Sequence, residues 1–394
     1  MTERLTALMT AEADLLDVPP APTATVLSRG RTLRRRRRGL QVGTGLAALA
    51  LVAGVGLAVT SGSDERGDAL DPSGSPSAGA DAPDLGAVFA IGPDVHLTGV
   101  DVVADIDDVT VKSMYYTSAG VLVRHGDNSY SDGGGPQRFS LVTPEGEVNR
   151  LSVVTNEVVP GVDTEQSLLA YAEVVDGTVE VVVHDVVADE EVTRIPVPDA
   201  RKWGGWSAPP VSLVGDDVYV GTDDVARVVD WRTREVREDP SIDPGYPPEV
   251  FGGRTLAAAG SATTVVDATS GQVLLSIDSP EDGYTYASLS PDGRYALAMT
   301  VPDFLGGRDL PEPTQEVYGV DTGESAMIEV ADGAFGWTPG GDLVSLDGSG
   351  VLTTCDTEGT CSTEQLDLEV LPDSLPGAED FSDDLVLGNE VRES

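Results

Sequence analysis

Three histidines, two cysteines and many aspartates make up most of the side chains able to do chemistry in this chain. His96, His125 and His184 are spaced too far apart for a metal-ligand motif and read as residues on strand surfaces. Asp127-Asn-Ser-Tyr-Ser-Asp132 lacks the alternation and glycine placement of a calcium loop, and Asp105-Ile-Asp-Asp108 is equally far from one. No Gly-x-Ser-x-Gly turn presents a serine nucleophile. These residues predict no catalytic set, no metal site and no cofactor. Cys355 and Cys361 enclose the turn DTEGT, so they can face each other across two antiparallel strands and close a disulfide. Two free thiols or a redox pair are the alternatives, although the spacing is not Cys-x-x-Cys.

The elements that would carry these residues are organised by charge. Residues 1–38 hold eight Arg, no Lys and four acids. Residues 39–60 (GLQVGTGLAALALVAGVGLAVT) hold no charge, and residues 61–394 hold 16 basic against 63 acidic groups. A 22-residue apolar run spans roughly 33 Å as a helix, enough to cross a bilayer core. Five consecutive arginines, Arg34, Arg35, Arg36, Arg37 and Arg38, precede it, and SGSDERGD follows. The positive-inside rule therefore predicts a single-pass cell-membrane protein with a cytoplasmic N-terminus and an extracellular C-terminal domain. A cleaved signal peptide is the rival, but 38 residues before the apolar run is long for one, and Ala58-Val59-Thr60 is a poor cleavage site. The acidic bulk argues against nucleic acid as a partner, because phosphate contacts need clustered Lys and Arg.

Residues 1–38 read as a basic cytoplasmic tail. Leu5, Leu8, Met9, Leu15 and Leu16 fall near one helical face. The tail then either lies on anionic lipid or docks a cytoplasmic regulatory protein. Residues 61–84, rich in Ser, Gly, Pro, Ala and Asp, read as a flexible linker. From residue 85 to 375 short Val-rich strands are broken by Gly, Asp and Pro, and residues 376–394 form an acidic C-terminal tail.

The strands repeat. Outer hairpins such as RFSLVTPEGEVNRLSV, TTVVDATSGQVLLSI and VLTTCDTEGTCSTEQL recur six times with turns 36 to 52 residues apart, near the ~40–45 of a four-stranded propeller blade. Inner hairpins precede them, among them MYYTSAGVLVRH, YASLSPDGRYALAMT and FGWTPGGDLVSLD. In Ser290-Pro-Asp-Gly293, proline presets φ and glycine permits a positive φ, which favours a tight reversal. An extra hairpin, AVFAIGPDVHLT, stands ahead of the six. The reading is an all-β propeller of seven four-stranded blades, with the N-terminal hairpin and DDLVLG near the C-terminus completing the seventh; six blades plus an edge hairpin is the alternative.

With its Ser-Pro-Asp-Gly turn between inner strands, the segment from about 85 to 371 resembles the WD40-like and TolB-like β-propeller families, though the Gly-His and Trp-Asp pairs of WD40 repeats are not reproduced. The resemblance implies a fold and no activity. In layout the chain resembles actinobacterial single-pass membrane proteins.

In such blades the connections between strands 2 and 3, and between successive blades, share one face. That face should carry HGDNSYSDGGGPQ, RKWGGWSAPP, DPSIDPGYPPE and PDFLGGRDLPEP, and so gather Trp203, Trp206, Tyr246 and Phe304 as a candidate binding face; packing between blades is the alternative role for these aromatics. The function this favours is a membrane-anchored extracytoplasmic binding or sensing module without enzymatic activity, taking an extracytoplasmic protein or small ligand. A transmembrane regulator whose tail holds a signalling protein such as a sigma factor, and a glycan- or peptide-acting enzyme, are the alternatives.

Overall fold

A computed structural model describes residues 84–127, 135–198, 200, 207–222, 225–239, 242, 249–259, 262–280, 283–302, 314–328, 335–347, 349–368 and 385–389. The tail, the apolar run 39–60, Arg34 to Arg38 and the linker up to residue 83 lie outside these. Among the described residues no helix is long and apolar enough to cross a membrane.

The described strands form seven four-stranded antiparallel sheets, the blades of a propeller. Blade 1 contains β1 (Val88–Ile91), β2 (Asp94–Leu97) and β3 (Val102–Asp105); blade 2 contains β4 (Thr110–Thr117), β5 (Gly120–Gly126), β6 (Gln137–Val142) and β7 (Val148–Thr155). Blade 3 is β8 (Gly161–Val162), β9 (Leu168–Val175), β10 (Thr178–Asp185) and β11 (Glu190–Val197), and blade 4 is β12 (Val211–Val214), β13 (Asp217–Val220), β14 (Ala226–Asp230) and β15 (Glu235–Asp239). Blade 5 is β16 (Val250–Phe251), β17 (Arg254–Ala259), β18 (Ala262–Asp267) and β19 (Val273–Asp278), and blade 6 is β20 (Gly283–Leu289), β21 (Tyr295–Pro302), β22 (Thr314–Gly319) and β23 (Ser325–Ile328). Blade 7 is β24 (Gly336–Trp337), β25 (Leu343–Leu346), β26 (Val351–Cys355) and β27 (Cys361–Gln365). The last strand, β28 (Leu385–Leu387), returns to blade 1 and pairs with β1, giving the order β28-β1-β2-β3.

The seven-blade count replaces the six-blade alternative, and the closure is the expected one: both chain ends of the domain build blade 1. The N-terminal hairpin supplies strands 2 and 3 of that blade, because β28 takes the innermost place. Gly388 clamps the closure, since its N–H donates to Val88 O (2.8 Å) and its carbonyl accepts from Trp337 N (3.0 Å). Asn389 N donates to Met114 O at 3.1 Å, and the Tyr116 hydroxyl donates to Trp337 O at 2.5 Å. Blades 7, 1 and 2 are thereby tied at one point.

The apolar core lies between blades. Phe89, Val344, Leu346, Leu385 and Leu387 pack together between blades 7 and 1, and Leu297, Val317, Trp337 and Leu343 pack between blades 6 and 7. Because both faces of a blade are covered by its neighbours, middle strands are buried without alternation, as β5 is from Gly120 to Gly126. Each fully buried aliphatic side chain contributes roughly 1.5–3 kcal/mol.

The tight turns follow their sequence. Gly293 has φ of 70°, and its N–H donates to Ser290 O at 2.8 Å. A Cβ there would stand 2.1 Å from Phe251 O, so glycine also lets the Ser-Pro-Asp-Gly turn rest against blade 5. The opposite face is less uniform than expected. Blades 1 and 3 join strands 2 and 3 through two residues only, Gly92-Pro93 and Asp176-Gly177. The long strand 2–3 segments belong to blades 2 and 6.

Candidate functional site

Polar side chains converge where β5 and β6 meet the long connection of blade 2. Asp108 leads into β4, His125 sits near the end of β5, and Arg138 and Ser140 sit on β6. His125 Nδ1 lies 2.6 Å from Asp108 Oδ2, and Nε2 lies 2.9 Å from Ser140 Oγ. Arg138 grips the same carboxylate with two N–H groups, Nε to Oδ2 at 2.7 Å and Nη2 to Oδ1 at 2.8 Å, and donates to Asp127 Oδ1 at 2.5 Å. Arg150 Nη2 comes within 3.9 Å of Asp108 Oδ2.

Burial pushes the His125 imidazole below its ordinary value, outweighing the pull of Asp108, and the nearby Arg150 and Arg138 charges push the same way. For Asp108, burial works to raise the carboxyl, but hydrogen bonds from Arg138, His125 and the Val109 N–H outweigh it and the result lies below the ordinary range. Asp108 is therefore a carboxylate paired with Arg138, and His125 is neutral. Its Nδ1–H donates to Asp108, leaving Nε2 to accept the Ser140 hydroxyl proton.

Asp–His–Ser in this order is the hydrogen-bonding order of a serine nucleophile and its base. Here it is closed off. His125 and Ser140 have no solvent exposure, and the Asp108 side chain retains 8%. The alignment instead fixes three elements of blade 2 and, through Arg138 and Asp127, anchors the start of its long connection. Arg124 beside it is equally buried. Its Nε donates to Ser113 Oγ (2.7 Å) and its Nη1 to Val158 O (2.8 Å), fastening β5 to the segment that enters blade 3.

Two histidines, His125 and His184, correct the sequence reading: they are buried, while His96 is half-buried on its strand. His184 is buried and bonds Asp189 Oδ1 at 3.0 Å, and His96 stacks on Phe89 with ring centroids 4.6 Å apart. In an ordinary half-exposed sheet one strand face meets water, whereas here a neighbouring blade covers both. Among the described residues no group of three His, Cys, Asp or Glu side chains could hold a metal ion.

Cys355 and Cys361 form the expected disulfide. They stand directly opposite in the β26–β27 register, with Cα atoms 4.0 Å apart. Of the candidate binding aromatics, Trp203, Trp206, Tyr246 and Phe304 all lie outside the described residues. What the structure places on their expected face is a groove of about 350 Å³ between blades 2 and 3, lined by Pro136, Val154 to Asn156, Val158, Ala172 to Val175, Ser207 and Ala208. One signal alone hints at the polar alignment: Arg124 and His125 interrupt an otherwise apolar strand, GVLVRHG.

No family model and no curated protein matches this chain. Among solved structures it is similar to the hydrazine synthase of Kuenenia stuttgartiensis, at 17% identity over 63% of this chain and 77% of that one, with a TM-score of 0.42. It is also similar to TolB from Acinetobacter baumannii, at 13% identity over 64% and 77% of the two chains with a TM-score of 0.38. The propeller domain of Cps50 (Swd1) from Myceliophteria thermophila stands at 12% identity over 65% and 97%, with a TM-score of 0.34. The neighbours thus include TolB and WD40-type propellers, and the chain itself is a seven-bladed, four-stranded β-propeller.

Proposed function

We propose that the chain is a membrane-anchored, extracytoplasmic β-propeller that binds a protein or small ligand outside the cell and performs no catalysis. The observation that carries the binding reading is the sealed alignment in blade 2. The Asp108–His125–Ser140 arrangement, which has the order needed for covalent chemistry, is closed to solvent and committed to holding strands. The neighbouring surface offers a groove and a long connection, the features by which β scaffolds present recognition loops. Anchoring rests on the uncharged run 39–60 between a basic tail and an acidic domain. A disulfide suits an oxidising compartment.

A reporter fused after Ser394 that is active only outside the cytoplasm should work, and protease treatment of whole cells should release a soluble domain by cutting within 61–84. A reporter active only in the cytoplasm would refute this orientation. The apolar helical face at Leu5, Leu8, Met9, Leu15 and Leu16 favours a second reading, in which the tail also holds a cytoplasmic signalling protein. A pull-down with residues 1–38 tests it, and recovery of lipid alone would count against it.

A further inference from the structure

Tyr284 and Tyr286 stand two residues apart on one face of β20 and are 37% and 58% exposed. No other aromatic side chain among the described residues is as open to water. Their rings meet edge to face, with centroids 4.9 Å apart and planes at 82°. The strand beneath them is fixed. Thr285, between them, turns to the opposite face, where its hydroxyl lies 3.2 Å from Thr300 Oγ1. Its N–H donates to Ser279 Oγ and its carbonyl accepts from Thr263 Oγ1, both at 3.1 Å. β20 is the innermost strand of blade 6, and it begins on the side of the long connections. Inner strands elsewhere are closed, as β4 and β28 are buried along their whole length. β24, the innermost strand of blade 7, has two residues against seven in β20, and it ends at a tight turn on the opposite side. Among the described residues, no innermost strand of blade 7 therefore runs alongside the tyrosines. The sheet face they share continues through Ser288, Leu297, Met299 and Val301 and carries no charge.

We propose that Tyr284 and Tyr286 form a platform for a neutral carbohydrate, a pyranose ring of a β-linked glycan, a site that rests on the binding-module reading. A glucose-type ring in such a chain holds its hydroxyls at the rim, so its two faces are apolar C–H surface. One C–H face stacks on an exposed phenol ring, and rim hydroxyls exchange hydrogen bonds with the phenol hydroxyls, which both donate and accept. The uncharged face suits a neutral ligand, because an ionic one would surrender hydration with no opposite charge to meet it. Proline-rich peptides are the other ligands of exposed aromatics, and they dock in grooves between aromatic walls. Rings closed on each other edge to face leave no such groove between them. The fixed backbone holds the pair ready, so little ordering is needed when the sugar arrives.

The test titrates full-length protein in nanodiscs calorimetrically with cellohexaose and with chitohexaose, and uses octaproline as the rival probe. At least one hexasaccharide should bind, and octaproline should not. Tyr286→Ala should weaken binding about tenfold or more, whereas Tyr286→Phe, which keeps the ring, should weaken it less than about threefold. Both variants should melt within about 2 °C of the parent, since the ring is mostly exposed. Failure of both hexasaccharides to bind would overturn the site, as would binding of octaproline alone. A much lower melt of Tyr286→Ala would make the ring a packing residue and overturn it too. If a hexasaccharide binds and Tyr286→Ala binds it equally, the platform is wrong while the binding module stands. A reporter after Ser394 that works only in the cytoplasm would defeat the module independently.

Discussion

Blade 2 and blade 7 hold their strand ends together by opposite means. In blade 2 a long connection leaves β5 and returns to β6, and polar side chains tie its base: Asp108, His125, Ser140 and a twofold grip from Arg138. In blade 7 a short turn joins β26 to β27, and a disulfide between opposed cysteines ties its base. Each tie fastens an exposed edge to a packed interior, as Cys355 is buried among Leu297, Val317, Trp337 and Leu343. The outer strand β27 is exposed over four of its five residues, and the long connection of blade 2 begins beside exposed Asp127. Polar ties need burial to be strong, because water weakens them, and so blade 2 seals its own. A covalent tie works at a solvent-facing edge.

Both ties presuppose a closed ring, so the largest effect comes from opening it. Deleting residues 385–394 removes β28 and its three buried side chains, worth roughly 5–9 kcal/mol, which is comparable with the whole stability of a typical domain. The truncated protein should fail to show a cooperative melt. A normal melt would mean that β28 does not close the propeller.

Next comes the polar tie. Asp108→Ala leaves Arg138 and the His125 Nδ1–H without their shared acceptor, at a cost of about 3–5 kcal/mol. Urea unfolding measures it, and a loss below about 1 kcal/mol would mean the cluster is solvated. Replacing Cys355 and Cys361 together by serine should cost less, about 2 kcal/mol, because so short a loop restricts little unfolded-chain entropy. Thiol labelling of the unfolded, unreduced parent should find no free thiol.

The smallest effect is a histidine-borne pH dependence, which blade 2 can show and blade 7, having no histidine, cannot. His125 lies below its ordinary value of 6.5 in the folded protein because burial disfavours the imidazolium. As pH falls through about 6.5, the unfolded chain takes up a proton that the folded chain refuses, so stability declines. His96, also lowered by burial, adds in the same direction. The carboxyl of Asp108 is held below 3.8, so its contribution is present above that value and is lost on further acidification. His125→Gln should flatten the slope just below pH 6.5 and leave the lower one. An unchanged upper slope would assign it to His96.

Much of this architecture is legible from residue order. The Ser290-Pro-Asp-Gly293 reversal, the paired hairpins and the facing cysteines depend on neighbours close in sequence, where turn chemistry and alternation act directly. Blade closure by DDLVLG is legible for a different reason, since a propeller must cover its last edge. The alignment of Asp108, His125 and Ser140 is not legible. It spans three elements, and Ser140 sits where the β6–β7 pairing shifts register, so no spacing rule brings it to the imidazole. His125 and His184 look like surface residues only when each strand is taken to have a wet face.

The central proposal is that the serine–histidine–aspartate alignment of blade 2 holds strands in place and does no chemistry. Treating the native full-length protein with a fluorophosphonate probe, followed by mass spectrometry of the peptide containing Ser140, tests it most directly. The account predicts no modification of Ser140, because its hydroxyl is closed to solvent and spent on His125. Stoichiometric labelling of Ser140 in the folded protein, abolished by His125→Gln, would contradict it and make blade 2 an active site.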